Sequence, residues 1–181
     1  MIVIRTIKVK LEVSPDGCES LLQTMRDYTV AFNTCADWGF KNHSASKINC
    51  HKATYQSIRQ SVPNLPSSLV QGARDCACEA LKAIKCSHKP LRNEFSAMRY
   101  NQRVIRICLD SGYTTIASSN GRVKATFSLP DYYRKFLTWK IKESTLSFHR
   151  NDLTFYLHCQ VETRTPDLIN ERKVLGIEQV S

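Results

Sequence analysis

The residues of this chain best able to do chemistry are its cations and its thiols. Lys and Arg total 26 against 16 Asp and Glu, which gives a net charge of +10, and the pI is about 9.3. A surface this basic attracts a polyanion. Neutralising phosphates releases their condensed counterions, so nucleic acid is the partner that the charge favours. Cations and aromatic rings concentrate in His88-Lys-Pro-Leu-Arg-Asn-Glu-Phe-Ser-Ala-Met-Arg-Tyr100. Guanidinium and ammonium groups beside rings suit backbone contact and base stacking on a single strand. The same residues have a plainer reading, in which Phe95 and Tyr100 plug a helix–sheet junction while Lys89, Arg92 and Arg99 are merely solvated. Arg134, Lys135, Lys140 and Lys142 make a second basic patch, which is either a solvated face or a phosphate contact.

The eight cysteines invite a search for metal. Cys76-x-Cys78 followed by Cys86-x-His88 has the look of a zinc set. On a helix, however, Cys76 and Cys78 diverge by about 200° and cannot easily share an ion. His43, Cys50 and His51 have no motif behind them, so no metal site is expected. Nucleophile elbows, Walker loops and dinucleotide fingerprints are absent from the sequence. His149 and His158 sit in strand patterns and read as sheet residues. The opening Met1-Ile-Val-Ile-Arg-Thr-Ile is too short and too soon charged for a signal peptide. No run approaches the roughly 20 apolar residues of a membrane span. Reduced thiols, a cytoplasmic location and no membrane partner are therefore expected.

Two kinds of element must position these groups. Ile2 to Val13 alternates, with Val3, Arg5, Ile7, Val9, Leu11 and Val13 on one face. Arg103–Cys108, Tyr113–Ala117, Arg122–Phe127, Ser144–Arg150 and Leu153–Val161 are rich in β-branched and aromatic residues, and most alternate in the same way, as half-buried antiparallel strands do. Asn120-Gly121 and the Arg150-Asn-Asp152 corner offer the positive φ of hairpin turns. Arg106, Arg122 and Lys124 fall at outward positions, with Arg103 at a strand entry. Strands at such short spacing suggest a small barrel or rolled sheet.

Helical signals separate the first strand from the rest. Ser14-Pro15-Asp16 starts a helix that buries Leu21, Leu22, Met25, Tyr28, Thr29, Phe32 and Cys35 and stops at Trp38-Gly39. A second spans Asn49 to Val62. A third opens at Ser67, after Pro63-Asn-Leu-Pro66, with Leu69, Val70, Ala73, Cys76, Ala77, Ala80, Leu81 and Ile84 inward. Pro130–Lys140 reads as a short helix with Tyr133, Phe136 and Leu137 inward. The first strand has no early partner, so it must pair with the late ones. The helices are then an insertion into the sheet unit.

In this order the pieces resemble a known family. They are the strand ending in Ser14-Pro15, Leu65-Pro66-Ser67-Ser68 with Ala73-Arg74-Asp75 and Glu79-Ala80, and Lys89-Pro90 through Phe95-Ser96. Val104-Ile105-Arg106-Ile107, Phe155-Tyr156-Leu157-His158 and Val174-Leu175-Gly176-Ile177-Glu178 follow. The chain resembles the N-terminal, wedge plus recognition, part of the transposon-encoded OrfB/TnpB RNA-guided endonucleases, relatives of compact type V CRISPR effectors.

The resemblance implies an α+β fold, an oligonucleotide-binding-like antiparallel β-barrel (the wedge domain) interrupted by a helical recognition insertion. Residues 1–13 are the first barrel strand, 14–90 the insertion and 91–165 the remaining barrel. Residues 166–181 are a linker and the first strand of an RNase H-like nuclease domain. The implied partners are guide RNA and target DNA, with a separately encoded nuclease part as a further one. The family has an Asp where this chain has Glu178, the first of three metal-clamping carboxylates. An added methylene displaces such a ligand, and the other carboxylates would lie beyond Ser181. The expectation is therefore a binding portion that is not an enzyme by itself and holds no cofactor. A divalent metal would enter only with a complete nuclease domain. The alternatives are a standalone non-cleaving nucleic-acid-binding regulator and a decayed remnant serving as a protein-interaction module. The binding residues expected are Lys89, Arg92, Arg99 and Arg103, then Arg74, Lys82 and Lys135.

Overall fold

The structure, a computed structural model, describes residues 2–164; the 166–181 segment and Glu178 lie outside them. The elements run β1 (Ile2–Lys10), β2 (Glu12–Val13), α1 (Pro15–Lys41), α2 (Lys47–Ser61), α3 (Ser67–Ala83), β3 (Met98–Tyr100), β4 (Ile105–Cys108), β5 (Tyr113–Ser118) and β6 (Gly121–Thr126). A 3₁₀ helix (Asp131–Phe136), β7 (Lys140–His149) and β8 (Thr154–Arg164) complete the order. The fold is α+β with antiparallel sheets.

The expected closed barrel is not what forms. The strands make two four-stranded sheets, ordered β1-β8-β7-β3 and β2-β6-β5-β4. The chain passes between them four times: at Leu11 from β1 to β2, through the three helices from β2 to β3, at residues 101–104 from β3 to β4, and through the 3₁₀ helix from β6 to β7. Within each sheet, register follows hydrophobicity. In the first, Val9, Leu157, Leu146 and Met98 form one transverse row and all are buried. The next row outward is Lys8, His158, Thr145 and Arg99. In the second, Ile105, Ile116 and Val123 make a buried row. A shift of one residue would exchange these rows between core and solvent, so the pattern fixes the pairing. Each fully buried aliphatic side chain contributes about 1.5–3 kcal/mol.

Both inner faces belong to one hydrophobic cluster that continues into the helices through Leu21, Met25, Tyr28 and Phe32. Ser14 caps α1 by accepting from Gly17 N at 3.2 Å. The helix does not stop at Gly39, as the sequence suggested, but runs to Lys41. Gly39 serves packing instead: a Cβ there would sit 2.4 Å from Leu81 Cδ1. α1 is also fastened to the β5–β6 hairpin. Ser20 Oγ and Ser118 Oγ are 2.7 Å apart, Ser119 N donates to Thr24 Oγ1 at 2.9 Å, and Ser119 Oγ donates to Asp27 Oδ2 at 2.5 Å.

Three details differ from the sequence reading. β3 was not foreseen, because Met98–Tyr100 lies in a stretch that reads as linker. At the second hairpin corner the positive φ falls on Leu153 (48°) rather than on Asn151 or Asp152. Leu137, expected inward, is 38% exposed. No helix among the described residues is long and apolar enough to cross a membrane.

Candidate nucleic-acid interface

The cations divide into those that bind carboxylates inside the molecule and those that do not. Arg74 places Nε and Nη2 at 2.8 and 2.6 Å from Asp75 Oδ1. Lys47 lies 3.8 Å from Asp75 and 3.0 Å from Glu79. Arg99 lies 2.9 Å from Glu79 and 3.6 Å from Glu143. Charges thus alternate from Arg74 to Glu143 across α3, α2, β3 and β7. The Lys47 hydrogen bond, aided by Arg99, holds the Glu79 carboxyl below its usual range, and the same bond raises Lys47. Lys89 faces Asp37 at 3.4 Å, and Asp37 also takes Lys41 at 2.7 Å.

Arg92 is used in a different way. Its guanidinium lies 5.5 Å from the Tyr28 ring centre and 5.0 Å from that of Phe32, and it donates to the Ala97 carbonyl. Its backbone is clamped by Asn33, which accepts from Arg92 N at 3.0 Å and donates to Arg92 O at 3.1 Å. The linker rings serve the junction. Tyr100 is fully buried and donates to Ala117 O at 3.1 Å. Phe95 packs on Phe148, with centroids 5.6 Å apart. The plugging reading therefore describes both rings, and Tyr100 offers no stacking surface.

The remaining expected residues stand further out. Lys135 Nζ sits 3.9 Å above the Tyr132 ring. Lys82 is exposed at the end of α3, and neither it nor Arg103 has an ion pair among the described residues. Arg103 lines a cleft with Asn101, Gln102, Lys140, Lys142 and Glu143. Within that cleft Lys142 pairs with Glu162 at 3.5 Å and Glu143 with Arg99, and Arg103 and Lys140 have no ion pair among the described residues.

The outer face of the second sheet collects more of them. Arg106, Thr115 and Lys124 are in register across β4, β5 and β6. Strand spacing places the two cations on the order of 10 Å apart. Arg122 lies on the same face of β6, two positions before Lys124. All three cations are exposed, and none has an ion pair among the described residues. The next row is Cys108, Tyr113, Thr126 and Glu12, with Thr126 Oγ1 bonded to Glu12 Oε2 at 3.1 Å. The alternation of β6 placed Arg122 and Lys124 outward at once. Sequence could not show that these cations would stay open while Arg74, Lys89 and Arg99 would not.

Cys35 and Cys50 are buried beside Thr54 Oγ1, at 3.5 and 3.8 Å. Cys76 takes a hydrogen bond from Tyr28 OH at 3.4 Å. Among the described residues no three His, Cys, Asp or Glu side chains come together as a metal site. No family model matches the chain, and no curated protein matches it either.

Proposed function

We propose that this chain is the nucleic-acid-binding portion of a TnpB-like RNA-guided nuclease, holding guide RNA and target DNA rather than cutting. The observation that carries the reading is the open cationic row Arg106–Thr115–Lys124 with Arg122 beside it. Cations on a sheet face with no ion pair among the described residues are an arrangement that phosphates would complete. The internal ion pairs lie elsewhere: Asp37, Asp75 and Glu79 are paired on the helices, and Glu143 and Glu162 on the first sheet.

The order of elements supports the family part of the proposal. Two strands, three helices and then the other strands is an order that a wedge domain with a recognition insertion accommodates. The two sheets, joined through Leu11 and residues 101–104 and sharing one core, are read as a split, oligonucleotide-binding-like roll. In such a complex base pairing reads sequence, while the protein grips backbones.

The test is to purify the chain from its native host and sequence the RNA that comes with it. A defined, structured RNA species is expected. A preparation free of RNA, together with no salt-dependent binding of added RNA, overturns the reading.

A further inference from the structure

We infer that the outer face of the first sheet is a binding platform for unpaired nucleotides, separate from the cationic face of the second sheet. This rests on the nucleic-acid reading above and adds a second, chemically different surface to it.

Tyr156 lies on that face near the β7–β8 turn, in register with Lys10 of β1 and Ser147 of β7. Lys8 Nζ is 4.4 Å from its ring centre, and the His149 ring lies 4.4 Å from it, tilted by 43°. Tyr156 OH donates to Asp152 Oδ2 at 3.1 Å, which fixes the ring's position on the sheet. Lys8 and His149 are both exposed and have no ion pair among the described residues, so a base can take the place of either against the ring. Every nucleobase has a π-face, so such a site accepts any unpaired base.

Beside the ring runs a groove of about 370 Å³ lined by Thr6, Ala97, Thr145, Ser147, His158 and Gln160. Its polar groups are hydroxyls, an amide and an imidazole, and side-chain carbons with the Ala97 methyl make up the larger part of the lining. Ser147 Oγ is 3.0 Å from His158 Nε2, so that pair can pass from an internal bond to an external one. Base edges and ribose hydroxyls are the ligands that such a lining suits. Lys8 and Lys10 lie on the same face of β1, as their register with His158 and Tyr156 shows. A ring, a groove of mixed polar and apolar lining and two rim cations are the parts of a single-strand site. A duplex cannot use the ring in this way, because its bases are already stacked and paired.

Two fluorescent probes of equal length test this, an unstructured single strand and a closed duplex, each titrated by anisotropy. Tyr156→Ala is expected to weaken single-strand binding about tenfold, in line with one lost stacking contact, and to leave duplex binding unchanged. Tyr156→Phe retains the ring and is expected to bind like the parent, which separates stacking from loss of the Asp152 bond. Circular dichroism of each variant reports folding. Equal loss on both probes, or no loss on the single strand with Tyr156→Ala, overturns the platform while leaving the nucleic-acid reading intact. If the parent protein binds neither probe, the function itself is refuted.

Discussion

Arg99 Nη1 donates to Glu79 Oε2 at 2.9 Å, and this contact ties β3 to α3. Glu79 is held below its ordinary value of 4.5 first by the Lys47 hydrogen bond and then by Arg99. A carboxyl with a depressed folded pKa contributes stability above its unfolded pKa, and that stability is lost as pH falls through the folded one. Part of the acid sensitivity below about pH 4.5 therefore belongs to this residue. Because the Glu79 side chain is 44% exposed, the share is small after solvent screening, about 0.5 kcal/mol. Urea midpoints followed from neutral to acid pH check it. Glu79→Gln should be less stable than the parent at neutral pH, and the difference should close on acidification. A constant difference at every pH would refute the assignment.

Arg106 and Lys124 have no ion pair among the described residues, so their loss should appear in binding and not in folding. Replacing both by Gln should lower the slope of log affinity against log salt by about 1.8 on duplex nucleic acid, at about 0.9 per phosphate contact. Arg74→Gln is the control: Asp75 already neutralises that charge, and the slope should stay where it is.

Arg92 and Asn33 should show the reverse. Asn33→Ala strips both bonds from the Arg92 backbone and should cost about 1–2 kcal/mol. Arg92→Ala removes a cation from two rings and should cost a similar amount, about 1–2 kcal/mol. Thermal denaturation measures both losses. Binding slopes of the surviving folded protein should match the parent.

Ser144 sits in the buried row with Ile7, Cys159 and Tyr100, and its Oγ has no hydrogen-bond partner among the described residues. A buried hydroxyl without a partner carries a desolvation cost. Ser144→Ala should therefore be neutral or raise stability by up to about 1 kcal/mol. A drop of more than that in a chemical denaturation curve would mean that the hydroxyl is bonded after all.

Much of this architecture was legible because alternation is a local signal. Ile7, Val9 and Leu11 announce an inward face, and Val123 and Ala125 announce another, whatever they pair with. Capping was equally local: Ser14 and Pro15 open α1. Charge pairing was not local. Nothing in the sequence around Arg99 shows that Glu79, on a helix, will meet it, or that Asp37 will take Lys89. Tyr100 was ambiguous for the same reason, since an aromatic ring beside cations has one composition whether it is buried or offered to a base. Gly39 misled in the opposite direction. Its usual role as a helix stop hid a packing role that only the position of Leu81 reveals.

The antiparallel ladder from Ile2–Arg164 to Lys10–Tyr156 joins the first described strand to the last. During synthesis, β1 leaves the ribosome long before its mate exists. It must wait, apolar side exposed, while the helices form from near neighbours. Contacts of such wide sequence separation are closed late and at an entropic cost. The nascent chain therefore passes through an interval in which its helices are made but its first sheet is not, and stalled chains cut short of β8 should leave β1 open to protease.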